Sequence, residues 1–114
     1  MTEKGKKYLS DILMAIDLIE NFIVDTPDFI SYQEDLKTQS AIERQLAIIG
    51  EALNKLKQSE SDLSILHDKQ IIGFRNRLVH AYDSIDNTIV WVIVKRHLQE
   101  LKLEIKKLAL ANNL

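Results

Sequence analysis

Ile89-Val90-Trp91-Val92-Ile93-Val94 is the stretch on which the fold class turns. Its β-branched and aromatic residues have the local preference of a strand. Followed outward, the run joins a longer period: Val90, Val94, His97, Leu101, Ile105 and Leu108 recur every three or four residues. That is one face of a helix, sustained for about 27 Å at 1.5 Å per residue. No other stretch offers a strand to pair with it. The run therefore predicts a helix that continues to about Ala111. Being apolar on several sides near Trp91, it predicts deep burial there or a partner surface.

Upstream, Asp83 to Asn87 is a polar turn that offers Asp86 or Asn87 as a helix cap. Before it, a helix is expected from about Asp68 to Ala81, with Ile71, Phe74, Leu78 and Val79 as its apolar face. Ser59 to Asp62 is a polar connector. Ile42, Leu46, Ile49, Leu53 and Leu56 mark a long helix from about Asp35 to Gln58. Gly50 lies inside it. A mid-helix glycine costs roughly 1 kcal/mol against alanine, so Gly50 predicts the close approach of another helix. Tyr8, Ile12, Ile16, Ile19 and Ile23 mark a first helix from about Glu3 to Val24, capped by Thr2. Thr26-Pro27 reads as a further cap with proline at the first helical position, opening a short helical piece from Asp28 to Tyr32. The expected architecture is all-α: an antiparallel bundle of four main helices plus short helical segments, forming one domain over residues 1–114.

Composition agrees. The chain has 114 residues, 46% hydrophobic and 28% charged, values of an ordinary globular domain. With three glycines and one proline it lacks the turn residues that a β-rich fold consumes. There is no cysteine, which excludes disulfides and thiolate-ligated metals. The N-terminus has no continuous apolar segment like that of a signal peptide. The longest apolar run, Ile89 to Val94, is far too short to span a bilayer. A cytoplasmic protein is expected, with no membrane partner. The formal net charge of −2 argues against nucleic-acid binding by bulk charge, so any RNA contact must be local.

The polar residues with most to offer are in Phe74-Arg75-Asn76-Arg77-Leu78-Val79-His80-Ala81-Tyr82. The plain alternative is a set of solvated side chains with His80 favourably placed at a helix C-terminus. At about 100° per residue, Arg75 and Tyr82 fall nearly in line, Asn76 and His80 share a second face, and Arg75 and His80 stand about 140° apart. No compact triad results. The two could converge through the long arginine side chain or across an interface with a second copy.

Arg75, four residues, His80, one residue and Tyr82 match the Arg-x4-His-x-Tyr signature of HEPN-domain proteins, and the chain resembles their HepT toxin subfamily. The stretches Tyr8 to Leu13, Ile48 to Ala52, Ile72 to Asn76 and Val90-Trp91 are similar in order. The resemblance implies a helical bundle that forms homodimers, with the motif facing a cleft between protomers. It implies metal-independent endoribonuclease activity, as the toxin of a type VII-like toxin–antitoxin system. It also implies a cognate minimal nucleotidyltransferase as antitoxin, which transfers AMP from ATP to the motif tyrosine. No cofactor is implied.

These side chains suit the roles. His80 is of the side-chain type suited to proton transfer at neutral pH. Arg75 offers a planar charged fork for a phosphate, and Asn76 could orient either one. Tyr82 supplies a phenol for AMP, whereas Tyr8 lies on an apolar stripe and Tyr32 outside the motif. Lys69, Arg75 and Arg77 make the region locally basic. Arg77, Glu51 and Arg44 are candidates to line the cleft, with structural roles as the plainer reading of the last two. His67 is expected at the surface and His97 as a satisfied structural histidine. No histidine spacing suggests a metal site. A non-catalytic module that only binds, and accepts AMP from, a nucleotidyltransferase fits the same residues. A plain structural bundle would leave the motif buried or scattered.

Overall fold

The structure is a computed structural model that describes residues 1–114. It is all-helical, without strands. The elements are α1 (Glu3–Phe22), α2 (Phe29–Glu34), α3 (Leu36–Ser59), α4 (Asp68–His80), a 3-10 turn (Tyr82–Ser84), α5 (Asn87–Val92), a π turn (Ile93–His97) and α6 (Leu98–Ala111). Through the π turn, α5 and α6 form one continuous rod, so the helical period of the last segment prevails over its strand-like residues.

Contacts between helix ends fix the directions. The Thr2 amide donates to Glu60 at 3.3 Å, which places the start of α1 beside the end of α3. Lys57 meets Asp68 at 2.9 Å, where α3 ends and α4 begins. Lys102 meets Glu20 at 2.9 Å, where α1 ends and α6 begins. Each pair is antiparallel. α1 packs on α3 and α6, and α3 packs also on α4. One continuous apolar cluster fills the interior, with Leu9, Ile12, Ile16, Ile42, Leu53, Val90 and Leu101 fully buried.

Caps set the boundaries. The Thr2 hydroxyl accepts the Gly5 amide at 3.0 Å, as expected of it. The second cap falls on Asp28, not on Thr26-Pro27: its carboxylate accepts the Ser31 amide at 2.8 Å, while Thr26 is buried. The short helix accordingly begins at Phe29 and extends to Glu34 rather than ending at Tyr32. Asp35 caps α3 through the Thr38 amide at 3.0 Å, and Asp86 caps α5 through the Thr88 amide at 2.9 Å. α1 stops at Phe22, short of Val24.

Two other expectations are corrected. Val79 is 48% exposed and leaves the apolar face of α4 to Ile71, Phe74 and the partly buried Leu78. In the last rod, Leu98 takes the core position expected of His97. The Leu98 amide reaches back to the Ile93 carbonyl, a five-residue bond that widens the turn and carries His97 to the side. Trp91 is half-buried. It packs on Tyr32 and Phe29 at centroid distances of 5.4 and 6.4 Å, with the Lys95 ammonium 5.3 Å from its ring.

Candidate functional site

The site is built where α4 crosses α3. A side chain on Gly50 would collide with Cβ of Arg75 and meet its Cγ at 2.9 Å and the Ile71 carbonyl at 3.2 Å. The glycine therefore lets α4 pass close, as its place in the helix predicted, and it is the stem of Arg75 that fills the space. Arg75 Nη2 then lies 2.6 Å from Glu51 Oε2, and Nη1 donates to Asn76 Oδ1 at 3.0 Å. One of its five N–H groups donates a hydrogen bond and the Glu51 contact is an ion pair, which leaves donors free for an anion.

Arg75 and Glu51 line a cleft of about 460 Å³ between α1, α3 and α4, together with Arg44, Glu43 and Tyr8. Arg44 is exposed there and makes no ion pair. Glu51 also meets Lys55 at 3.5 Å. Burial raises the Glu43 carboxyl above the usual range. The cleft is thus a place of mixed charge, with cations on both of its walls.

The rest of the motif is not gathered there. Arg77 follows Arg75 by two residues, about 200° around the helix, and lines a separate groove of about 530 Å³ against α5. Asn76 is exposed on the face between. His80 ends α4 in solvent and neither lines the cleft nor bonds to Arg75. The backbone leaves the helix at Ala81 (φ −147°, ψ 46°), and Tyr82 opens the 3-10 turn. The projection that set Tyr82 in line with Arg75 on one helix therefore does not hold. Tyr82 is 76% exposed, whereas Tyr32 is fully buried with an unpartnered hydroxyl. Burial first, then Glu43 and Asp35, push the Tyr32 phenol far above its usual range.

One cluster was not legible in the sequence. His67 adopts a left-handed backbone (φ 67°) at the start of α4, and its ring stacks on His97 at 4.1 Å and 13°. His67 Nδ1 is 2.8 Å from Gln70 Oε1 and Nε2 is 3.0 Å from Glu100 Oε2. His97 Nδ1 is buried without a partner, so this histidine is not the satisfied one expected. Thirty residues of separation hid the pair, and only the π turn makes it. No group of three histidine, aspartate or glutamate side chains is arranged to hold a metal ion. No helix is long and apolar enough to cross a membrane.

Comparison with known proteins adds a consistent result. The family described as "Ribonuclease HepT-like" matches residues 12–108. The chain is 38% identical to "Probable ribonuclease HepT" of Thermococcus cleftensis, over 95% of this chain and 98% of that one. It is 33% identical to a protein of Methanocaldococcus jannaschii provisionally named an RNase, over 90% of this chain and 89% of that one. A Caldanaerobacter subterraneus protein, also provisionally named an RNase, is 29% identical over 90% of this chain and 92% of its own. No solved structure matches.

Proposed function

Since the chain belongs to the ribonuclease HepT-like family, we propose that it is a metal-independent endoribonuclease, the toxin of a two-component toxin–antitoxin system. One observation carries the reading. Arg75 is held at the wall of a cleft by Glu51 and Asn76, while His80 stands exposed at the end of the same helix and Tyr82 exposed in the turn that follows.

Cleavage needs a base for the ribose 2′-hydroxyl and a cation for the phosphate. His80 takes the 2′ proton, the 2′ oxygen attacks the adjacent phosphorus to form a 2′,3′-cyclic phosphate as the bond from phosphorus to the 5′ oxygen breaks, and the 5′ oxygen leaves with a proton from water. Arg75 holds the charge that develops on the phosphate. A single protomer leaves Arg75 and His80 unjoined, so the working unit is a two-fold homodimer whose interface includes α4 and brings both copies of the motif to one cleft. The antitoxin is a minimal nucleotidyltransferase that places AMP on Tyr82. The added phosphate and bulk then occupy the ground where RNA would bind.

The test is cleavage of RNA by the purified, unmodified protein in a metal chelator. His80→Ala should lose about 10²–10⁴-fold in rate, and Arg75→Ala a comparable factor. Full activity in either variant, or complete dependence on added magnesium, would exclude the mechanism. Light scattering that finds a monomer at micromolar concentration would exclude the dimer. After incubation with the cognate nucleotidyltransferase and ATP, mass spectrometry should find AMP on Tyr82 and none on Tyr82→Phe. A second reading, a non-catalytic acceptor subunit, draws on the Arg75–Glu51 pair, which already neutralises the cation that cleavage requires. Absence of cleavage with Tyr82 still modified would favour it.

A further inference from the structure

The groove on the opposite side of α4 is unused by this mechanism. Its floor is apolar, formed by Phe74, Ile89, Val92 and Ile93, and its volume of about 530 Å³ lies within the range of ligand sites. Lys69 and Arg77 stand on one rim, both exposed and neither in an ion pair or a side-chain hydrogen bond. They sit eight residues apart on α4, about 12 Å along its axis and about 80° around it. Gly73 lies midway between them. A Cβ built on Gly73 meets nothing within 4 Å. Unlike Gly50, then, this glycine serves no helix contact, yet it weakens α4 by its flexibility. Its effect is to leave a notch in the rim, open to the apolar floor, with a cation on either side. Asp86, across the groove, has its Oδ1 committed to the Thr88 amide.

An apolar slot flanked by two free cations on an otherwise acidic protein fits a flat, apolar-faced group that carries negative charge. We propose that this groove binds one nucleotide of single-stranded RNA, with its base in the Gly73 notch over Phe74 and its flanking phosphates on Lys69 and Arg77. The inference rests on RNA being the substrate of the motif. It adds a binding site that positions the strand, distinct from the residues that cleave it. A free adenine nucleotide shares the same chemistry, so the experiment separates the two.

The probe is a fluorescently labelled 2′-O-methyl oligoribonucleotide, which lacks the attacking hydroxyl and cannot be cleaved. Its anisotropy is measured with the full-length, unmodified protein. Binding should weaken with added salt. Lys69→Gln with Arg77→Gln should weaken it by about tenfold or more, and Gly73→Leu by about tenfold through loss of base contact. Gly73→Leu introduces a good helix former into open space, so its thermal midpoint should not fall. A circular-dichroism melt checks this. Unchanged affinity in Gly73→Leu would overturn the proposal. So would displacement of the oligonucleotide by an equal concentration of AMP, which would make the groove a free-nucleotide site, or a change of oligomeric state in Gly73→Leu, which would make it an interface between copies. If the groove variants lose affinity while His80→Ala cleaves RNA at full rate, the groove stands and the catalytic reading falls. If His80→Ala loses cleavage while Gly73→Leu binds normally, the reverse holds.

Discussion

α4 has two sides, and its two neighbouring glycines behave oppositely. On the α3 side, Gly50 is filled to the limit by the stem of Arg75, and the guanidinium beyond it is tied to Glu51 and Asn76. On the α5 side, Gly73 faces open space, and the cations around it, Lys69 and Arg77, are free. Close packing fixes one charge in place; an absent side chain leaves room between two others. A fixed cation suits chemistry, where a displaced charge stabilises nothing. Free cations beside an open slot suit affinity, where long side chains can adapt to a strand.

Steady-state kinetics should separate the two sides with the largest effects. Arg75→Ala should lower kcat by about 10²–10³-fold. Lys69→Gln with Arg77→Gln should raise KM by about tenfold and leave kcat within a small factor. A fall in kcat for both, or a rise in KM for both, would erase the distinction. The next largest effect is on stability. Gly50→Ala should cost about 1–3 kcal/mol in urea denaturation, because Arg75 Cβ is part of a packed helix and cannot swing away as a side-chain tip would.

The seam was legible in the sequence because it is local. The apolar spacing from Ile42 to Leu56 gives α3, and a glycine inside that period has few explanations besides close approach. The motif residues could be named from their order. Where they would point could not, because the projection assumed that the helix ran on to Tyr82, and the backbone turns away at Ala81. The groove was invisible for a different reason: it needs α4 and α5 together, and only the fold brings Phe74 beside Ile93. The π turn was likewise unreadable. Val94, His97 and Leu101 make a regular stripe on paper, but burying Leu98 in place of His97 keeps an imidazole out of the core.

Two smaller effects sharpen the contrast. Asp68, buried at the start of α4, meets Lys57 of α3 at 2.9 Å. Burial, the largest single effect, would raise the Asp68 carboxyl, but the bond to Lys57, the Lys57 charge and the Lys69 and Ile65 amides together outweigh it and hold the group below its usual range. Asp68→Asn should therefore cost about 1–2 kcal/mol, a loss that loosens the seam and spares the groove. Gly73→Ala should do the opposite and stabilise the protein by up to about 1 kcal/mol. If Gly73→Ala destabilises, the notch is packed in solution and the contrast between the glycines fails.

The smallest effect is a pH dependence at the inner end of the groove, where His97 meets His67. The bond to Gln70 raises the His67 pKa, with Glu100 and Glu104 adding to it against a lesser effect of burial. Burial lowers that of His97, with the charge of His67 and of Arg96 acting the same way against Glu100. Both imidazoles start near pH 6.5 in the unfolded chain. Below that value and above the folded pKa of His97, the unfolded chain binds one more proton than the native state, so stability rises with pH. Above it and below the folded pKa of His67, the native state holds the extra proton, so stability falls. The pair alone thus gives a maximum near pH 6.5, of modest height because both rings border solvent. Urea denaturation between pH 5 and 8 should show the acid limb flattened in His97→Leu relative to the parent. The alkaline limb should remain in His97→Leu and be lost in His67→Asn. An NMR titration should find the His67 midpoint above that of His97; coincident or reversed midpoints would mean that the stacked pair does not hold in solution.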